Sequence, residues 1–401
     1  MVRIVPFAVE QWMDEYETWA KYNIAETCSA SISIDDLRSL SDDPSRDPLS
    51  TSTKLTYGAI RGSQTLRSHI ARLYAPPTGD DSSTTVSAEN VLITPGAIQA
   101  NFLLLYTLIQ PGDHVVCHYP TYQQLYSVPE SLGADVSLWK TSGEDGWKLD
   151  LEELKAMVRP STKMIIVNNP QNPTGAFISQ EVLAGIIDIA RQSSIYVLCD
   201  EVYRPLFHSL DKTEWPPSLL SLGYDRSIVT GSMSKVFSLA GIRLGWIASL
   251  HRSIIEDCAA ARDYTTISVS QVDDRIATFA LDPLHAGKLL DRNLQLAKRN
   301  LGILKGFIDA HRDTCDWVVP RAGTTAFIRF SRDGRPVDDV ALCQMLQDSK
   351  GVMLVPGRRC FGEEFKGYVR IGYVAETEVL ETGLRELGEF LKAEYASVPL
   401  I

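Results

Sequence analysis

Lys235 sits at the centre of Gly231-Ser-Met-Ser-Lys-Val-Phe-Ser-Leu-Ala-Gly-Ile-Arg-Leu-Gly245, among small hydroxyl residues and glycines, with Arg243 eight positions on. Ser232 and Ser234 can donate hydroxyl hydrogen bonds, Arg243 supplies a planar cation, and the glycines let backbone approach a ligand closely. Such a set can hold a phosphate beside an amine that is free to form a Schiff base, the chemistry of a phosphate-bearing aldehyde cofactor. A surface lysine near chance serines would spell the same letters, so the neighbouring segments decide.

Asp200 follows the apolar run Ile195–Cys199 and opens Asp-Glu-Val-Tyr203. A carboxylate there can pair with a ring nitrogen and keep it protonated, or it can cap a helix. Asn172 lies in Asn168-Asn-Pro-Gln-Asn-Pro-Thr-Gly175, which is also a plain turn signal. Thr94-Pro-Gly-Ala-Ile-Gln-Ala100 follows a strand-like run and opens a helical one. The backbone N–H groups of Gly96, Ala97 and Ile98 would then face an anion, assisted by the helix dipole. Arg370, in Gly367-Tyr-Val-Arg-Ile-Gly-Tyr373, is an arginine inside an apolar strand pattern. Burial there is costly unless the guanidinium is paired, and its fork suits a carboxylate.

In this order, from Tyr57 to the C-terminus, the segments resemble those of the class I/II aminotransferases, pyridoxal 5'-phosphate (PLP) enzymes of fold type I. The resemblance implies that Lys235 carries PLP as a Schiff base and then acts as general base, with Arg243 and neighbouring cations lowering its pKa. It implies that Asp200 pairs with the pyridine nitrogen, that Tyr203 and Asn172 reach the cofactor's phenolic oxygen, and that Tyr122 in Tyr119-Pro-Thr-Tyr122 stacks on the ring, with Tyr119 as the rival. Gly96, Ala97, Ile98, Ser232, Ser234 and Arg243 would hold the phosphate. Tyr57, in Tyr57-Gly-Ala-Ile-Arg-Gly62, resembles the tyrosine that reaches the phosphate of a neighbouring subunit, which implies a homodimer with shared active sites. Arg370 would bind the substrate α-carboxylate, with Asn172 also in reach of substrate. Arg61 and Arg67 read as structural, Arg358 and Arg359 as rim residues.

Two stretches depart from the plain pattern. Tyr22-Asn-Ile-Ala-Glu-Thr-Cys-Ser-Ala-Ser-Ile-Ser33 lacks the glycine common in this substrate-lining segment. Glu26, Thr27, Cys28 and Ser29 there could meet a polar or cationic side chain, or could be a cap and turn. Arg262–Ser270 and Val319–Phe330 are similar to segments of capreomycidine synthase-like enzymes, PLP enzymes that dehydrate and cyclise a hydroxylated arginine. The expected activity is therefore amino transfer from an L-amino acid to a 2-oxo acid. The alternative is β/γ-elimination, or elimination with cyclisation, in secondary metabolism, because one fold hosts many reactions.

Ligands of open α/β sheets bind at the carboxyl edge of the strands, so the elements matter. Short apolar runs at Val91–Ile93, Val115–Cys117, Val136–Leu138, Met164–Val167, Tyr196–Cys199, Ile228–Val229 and Trp246–Ala248 read as strands, and Leu66–Tyr74 and Ile98–Ile109 as helices. Trp12, Tyr16 and Trp19 suggest an amphipathic helix over 9–20. A charged helix is expected over 284–312, followed by a mixed region with strands at Thr325–Phe330, Val352–Val355 and Val369–Tyr373 and helices at 337–348 and 376–395. The fold class implied is α/β, fold type I: a large domain with a mostly parallel seven-stranded sheet covered by helices, plus a smaller α+β domain. The expected division is residues 1–50 as a segment packing with the small domain, 51–290 as the PLP-binding domain and 291–401 as the small domain.

Composition sets outer bounds. With 401 residues, 44% hydrophobic and 22% charged, the chain can form two real cores. A net charge of −11 argues against nucleic acid or an anionic membrane as principal partner. Seven scattered cysteines suggest neither a disulfide framework nor a metal site, and a cytoplasmic location is expected. Some transcription regulators carry this fold behind a DNA-binding domain, but the residues before Tyr57 are neither basic nor helix-turn-helix-like.

Overall fold

The computed structural model describes residues 4–75 and 86–401. Seven strands make the large sheet: β1 (Val91–Thr94), β2 (His114–Tyr119), β3 (Asp135–Lys140), β4 (Thr162–Asn168), β5 (Tyr196–Asp200), β6 (Ser227–Ser232) and β7 (Gly245–Ser249). Their spatial order is β1-β7-β6-β5-β4-β2-β3. Only β7 runs against its neighbours; the remaining pairings are parallel.

The central strands are apolar on both faces because both are covered. Ile165 and Val167 of β4 enter one core, and Met164 and Ile166 enter the other, as a period of two requires. The seven strands expected for this sheet are all present, each extended by one to four residues, whereas the expected strand Val352–Val355 is two short strands broken at Leu354. Helices Gln124–Ser131, Leu151–Met157, Gln180–Gln192, Arg252–Arg262 and Gln271–Ala280 are additional to those expected. One of them contains Pro129, ordinarily a helix breaker.

The second region is built on the strand Thr325–Arg332, which pairs antiparallel with Cys315–Trp317, Arg335–Pro336 and Tyr368–Gly372. Its core takes in Trp12, Tyr16 and Ile24 from the N-terminal segment. The helix Ala8–Tyr16 is anchored by Trp12, whose Nε1 donates to the Leu354 carbonyl at 2.7 Å, and Tyr22–Asn23 pairs in parallel with Val352–Met353. The long helix Ala286–Ala310 crosses between cores, with Leu289 and Leu294 in the first and Leu301, Leu304 and Ile308 in the second. Among the described residues no helix is long and apolar enough to cross a membrane.

Gly372 marks where the N-terminal segment presses on the small sheet. Its N–H donates to the Ile24 carbonyl at 2.8 Å, and a Cβ at this position would lie 1.7 Å from the Glu26 carbonyl oxygen. Gly372→Ala is expected to lower stability by about 1–3 kcal/mol through overpacking, measured by urea unfolding. Gly306→Ala, in the long helix with nothing within 4 Å of the new methyl, should stabilise by roughly 0.5–1 kcal/mol. Equal effects of the two changes would contradict the close approach.

Candidate active site

Asn168, Asp200 and Ser232 end β4, β5 and β6 and stand at one edge of the sheet. A cavity of about 600 Å³ opens above them, walled on its far side by the N-terminal segment and Arg370. Lys235, three residues past β6, projects into it. Its Nζ donates to Thr27 Oγ1 at 2.5 Å and to Cys28 Sγ at 3.4 Å, and lies 3.8 Å from Glu26 Oε1.

The expected depression of the Lys235 pKa by Arg243 is not found. Burial alone would lower it, but Cys28, Tyr203 and Glu26 outweigh burial and hold it above the ordinary lysine value. Burial pushes the Cys28 thiol up to about 11, so at neutral pH Glu26 is the effective anion. Burial would raise the Glu26 pKa as well. Lys235, with the N–H groups of Thr27 (2.6 Å) and Cys28 (3.0 Å), instead brings it down to about 2. Arg243 points elsewhere, donating to Ser234 Oγ at 3.3 Å and to the Ala240 carbonyl at 3.0 Å.

Asp200 is buried at the cavity floor. Asn101 Nδ2 donates to its Oδ2 at 3.0 Å, the Val202 N–H donates to Oδ1 at 3.2 Å, and Thr230 in turn donates to Asn101 Oδ1 at 2.7 Å. Burial raises its pKa to about 6 against the pull of those donors and of Lys235. No helix follows Asp200, only turns, so capping does not explain it. A buried carboxylate without a salt bridge suits a protonated ring nitrogen.

The anion end is built from the start of the helix Gly96–Leu108. Gly96 adopts φ +78°, and a Cβ on it would lie 2.8 Å from Arg243 Nη2. A Cβ on Gly245 would lie 2.5 Å from the Ala97 nitrogen. Glycine at both places lets the helix N-terminus, Arg243 and the serines converge on one spot, and the Ser234 N–H donates to Ser232 Oγ at 3.2 Å. This donor set fits a phosphate, and with Lys235 and Asp200 it fits PLP.

Arg370 is 3% exposed. Its Nη2 donates to the Ala25 carbonyl at 3.0 Å and its Nη1 to Asn172 Oδ1 at 3.3 Å, while Nε has no partner and no carboxylate of the described chain pairs with it. Tyr122 and Tyr203 line the same cavity. Tyr119 does not: its hydroxyl donates to the Phe361 carbonyl within the small-region core. Tyr57 also stands apart, 85% exposed and away from its own chain's cavity. Arg61 bonds Glu256 at 2.8 Å, Arg67 the Ala88 carbonyl at 2.7 Å, Arg358 Asp338 at 3.0 Å and Arg359 Glu15 at 3.3 Å, all outside the cavity.

Sequence reasoning did not single out Asn101, Asn168, Glu10, Met13 or Glu17, which also line it. The one available signal was Asn101, an amide that, with Gln99, interrupts a largely apolar helical run. A second cavity of about 390 Å³, beside His118, Trp147 and Arg321, holds none of the Lys235 constellation.

Residues 40–387 match the family described as aminotransferase class I and II. Capreomycidine synthase of Streptomyces vinaceus is 30% identical over 385 residues, covering 96% of this chain and 93% of that relative. The crystal structure of a PLP-dependent aminotransferase from Streptococcus suis superposes with a TM-score of 0.87 at 40% identity, covering 97% of this chain and 98% of the other. A PLP-dependent cyclase, OrfR, solved in complex with Au, superposes at 0.83 with 26% identity over 97% of both chains.

The charge on Asp200 has a stability consequence. Because its pKa rises from 3.8 to about 6 on folding, the folded chain holds that proton more tightly and loses stability as pH climbs through this window. Above it the carboxylate costs at most about 3 kcal/mol. Asp200→Asn should leave the cofactor-free protein no less stable at pH 7 by urea unfolding, while lowering kcat of the PLP-loaded enzyme by orders of magnitude. A destabilised variant with near-native turnover would make Asp200 a structural group.

Proposed function

The chain belongs to the class I and II aminotransferases, PLP-dependent enzymes of fold type I that act on amino acids, and we propose that it transfers the amino group of an L-amino acid to a 2-oxo acid. The observation that carries this reading is that Asp200 and Arg370, buried opposite charges with no salt bridge among the described residues, face one cavity together with the Lys235 amine.

When bound, PLP supplies the electron sink for a carbanion at the substrate Cα. Ser232, Ser234, Arg243 and the amides of Gly96, Ala97 and Ile98 would hold its phosphate. Asp200, kept in place by Asn101, would keep its ring nitrogen protonated. Tyr203 and Asn172 would donate to its phenolic oxygen, and Tyr122 would cover a ring face. Arg370 fixes the α-carboxylate by two-pronged contact. Lys235 is the group that moves the Cα proton, and Glu26 and Thr27 set where its amine points.

The reading includes a homodimer whose partner subunit receives Tyr57. Leu55, Tyr57, Tyr106 and Tyr264 are exposed, and large exposed apolar groups favour a covered surface. A second reading, elimination with or without cyclisation, is favoured by the polar trio Glu26, Thr27 and Cys28 directly on Lys235 and by the similarity to capreomycidine synthase.

A panel of amino acids, scored for keto acid, ammonia and pyridoxamine phosphate, separates the two. Transamination leaves pyridoxamine phosphate, whereas elimination releases ammonia and restores PLP. Borohydride reduction should fix the cofactor on the peptide bearing Lys235; label on another lysine would overturn the assignment. Arg370→Lys keeps the charge but loses the fork, so kcat/KM should fall at least roughly tenfold for every amino acid tested. An effect confined to one substrate would mean that Arg370 reads a side chain instead.

A further inference from the structure

We propose that the mouth of this cavity selects amino acids whose side chain ends in a cation, a guanidinium or an ammonium. The inference deepens the proposed function and rests on its reading of the cavity as an amino-acid site.

The N-terminal helix Ala8–Tyr16 has two working faces. Val9, Trp12 and Tyr16 are buried in the small-region core. Glu10 and Met13, with Glu17 in the turn that follows, continue at helical spacing along another face, and that face lines the cavity. The carboxylates of Glu10 and Glu17 are therefore presented to a ligand as well as to solvent. Glu10 accepts the Tyr122 hydroxyl at 2.7 Å, and neither carboxylate has a basic partner among the described residues. Glu26, deeper in, is committed to Lys235 at 3.8 Å.

The carboxylates also sense one another. Burial raises the Glu17 pKa, and Glu26 and Glu10 raise it further by repulsion. A cation entering between them relieves that repulsion; a side-chain carboxylate would add to it. Arg370, buried and without a carboxylate partner, marks an independent anchor in the same cavity for the opposite end of the ligand. The site thus fits a molecule with a carboxylate at one end and a positive charge at the other.

The test compares L-arginine with L-citrulline, its neutral counterpart of equal length, and L-lysine with L-norleucine, with L-glutamate as the acidic control. Binding is followed by calorimetry and turnover by kcat/KM, in the PLP-loaded enzyme and in Glu10→Gln, Glu17→Gln and the double variant. The expected result is a preference of at least roughly tenfold for one cationic member over its neutral counterpart, shrinking about three- to fivefold per single change and approaching unity in the double variant. The arginine and lysine arms tell guanidinium from ammonium. Equal handling within both pairs, arginine with citrulline and lysine with norleucine, or glutamate handled as well as the better cationic substrate, would overturn the inference while leaving the aminotransferase reading intact. A double variant that weakens charged and neutral substrates alike would do the same. If no amino acid of any charge binds or changes the cofactor absorbance, the amino-acid reading fails and this inference fails with it.

Discussion

A carboxylate buried at the end of a parallel strand, without a cation paired to it, governs how this molecule is arranged. Asp200 can occupy that place only because β5 lies between β4 and β6 in a register that sets it beside Asn168 and Thr230. The helix Gly96–Leu108 must also lie where Asn101 can donate to Asp200. The same helix begins at the anion cradle. One packing requirement, an apolar helix covering one face of the sheet, thereby fixes two distant ends of the cavity. Burial without pairing is costly, and the fold tolerates it where a ring cation would complete the pair.

The second constraint is the N-terminal segment, which belongs by packing to the small region but touches the large one at the reacting centre. The Ser29 N–H donates to the Lys235 carbonyl at 3.1 Å and the Ile32 N–H to that of Ser238 at 3.2 Å, while the Ala30 N–H reaches Val374 on the other side at 2.8 Å. Backbone bonds to both regions turn this short stretch into a strap across the cavity. Its side chains, Glu26 and Thr27 above all, are consequently held against the lysine rather than left to solvent. Arg370 is tied to the same stretch, its Nη2 donating to the Ala25 carbonyl.

How legible this was in the sequence depended on distance along the chain. The strands showed as short apolar runs because they are buried on both faces, and the loops after them showed through Gly, Pro and Asn. Arg370 stood out as a polar group inside an apolar strand pattern, whereas Lys235, Asp200 and Asn172, each open to a plainer reading by itself, were legible through the order of their segments along the chain. Asn101 was harder, because one amide inside a helix says little until the sheet beneath it is known. The N-terminal helix was expected over 9–20, yet regular helix stops at Tyr16 and a tighter turn follows. The placing of Glu10 and Glu17 at the cavity depends on Trp12 docking at Leu354, a contact no local pattern encodes. The error over Lys235 has the same origin. Its neighbours in sequence include the cation Arg243, whereas the anion that sets its charge comes from the N-terminal strap.

Charge in the cavity is partitioned, and the partition follows from what each end must bind. In the proposed reading Arg243 and a helix N-terminus would serve one anion, and Arg370 another. Between them Lys235 keeps a positive charge through Glu26. These cations line one cavity in a chain of net charge −11, and part of the excess negative charge lines the same cavity as Glu10 and Glu17. Cations (Lys235, Arg370) and carboxylates (Glu10, Glu17) lining one cleft present both signs of charge to an approaching zwitterion. A substrate with a negative side chain meets repulsion at the mouth before it can reach Arg370. In that proposal selection by side-chain charge would be exercised at Glu10 and Glu17, while Lys235 and Arg370 would meet the groups common to every amino acid.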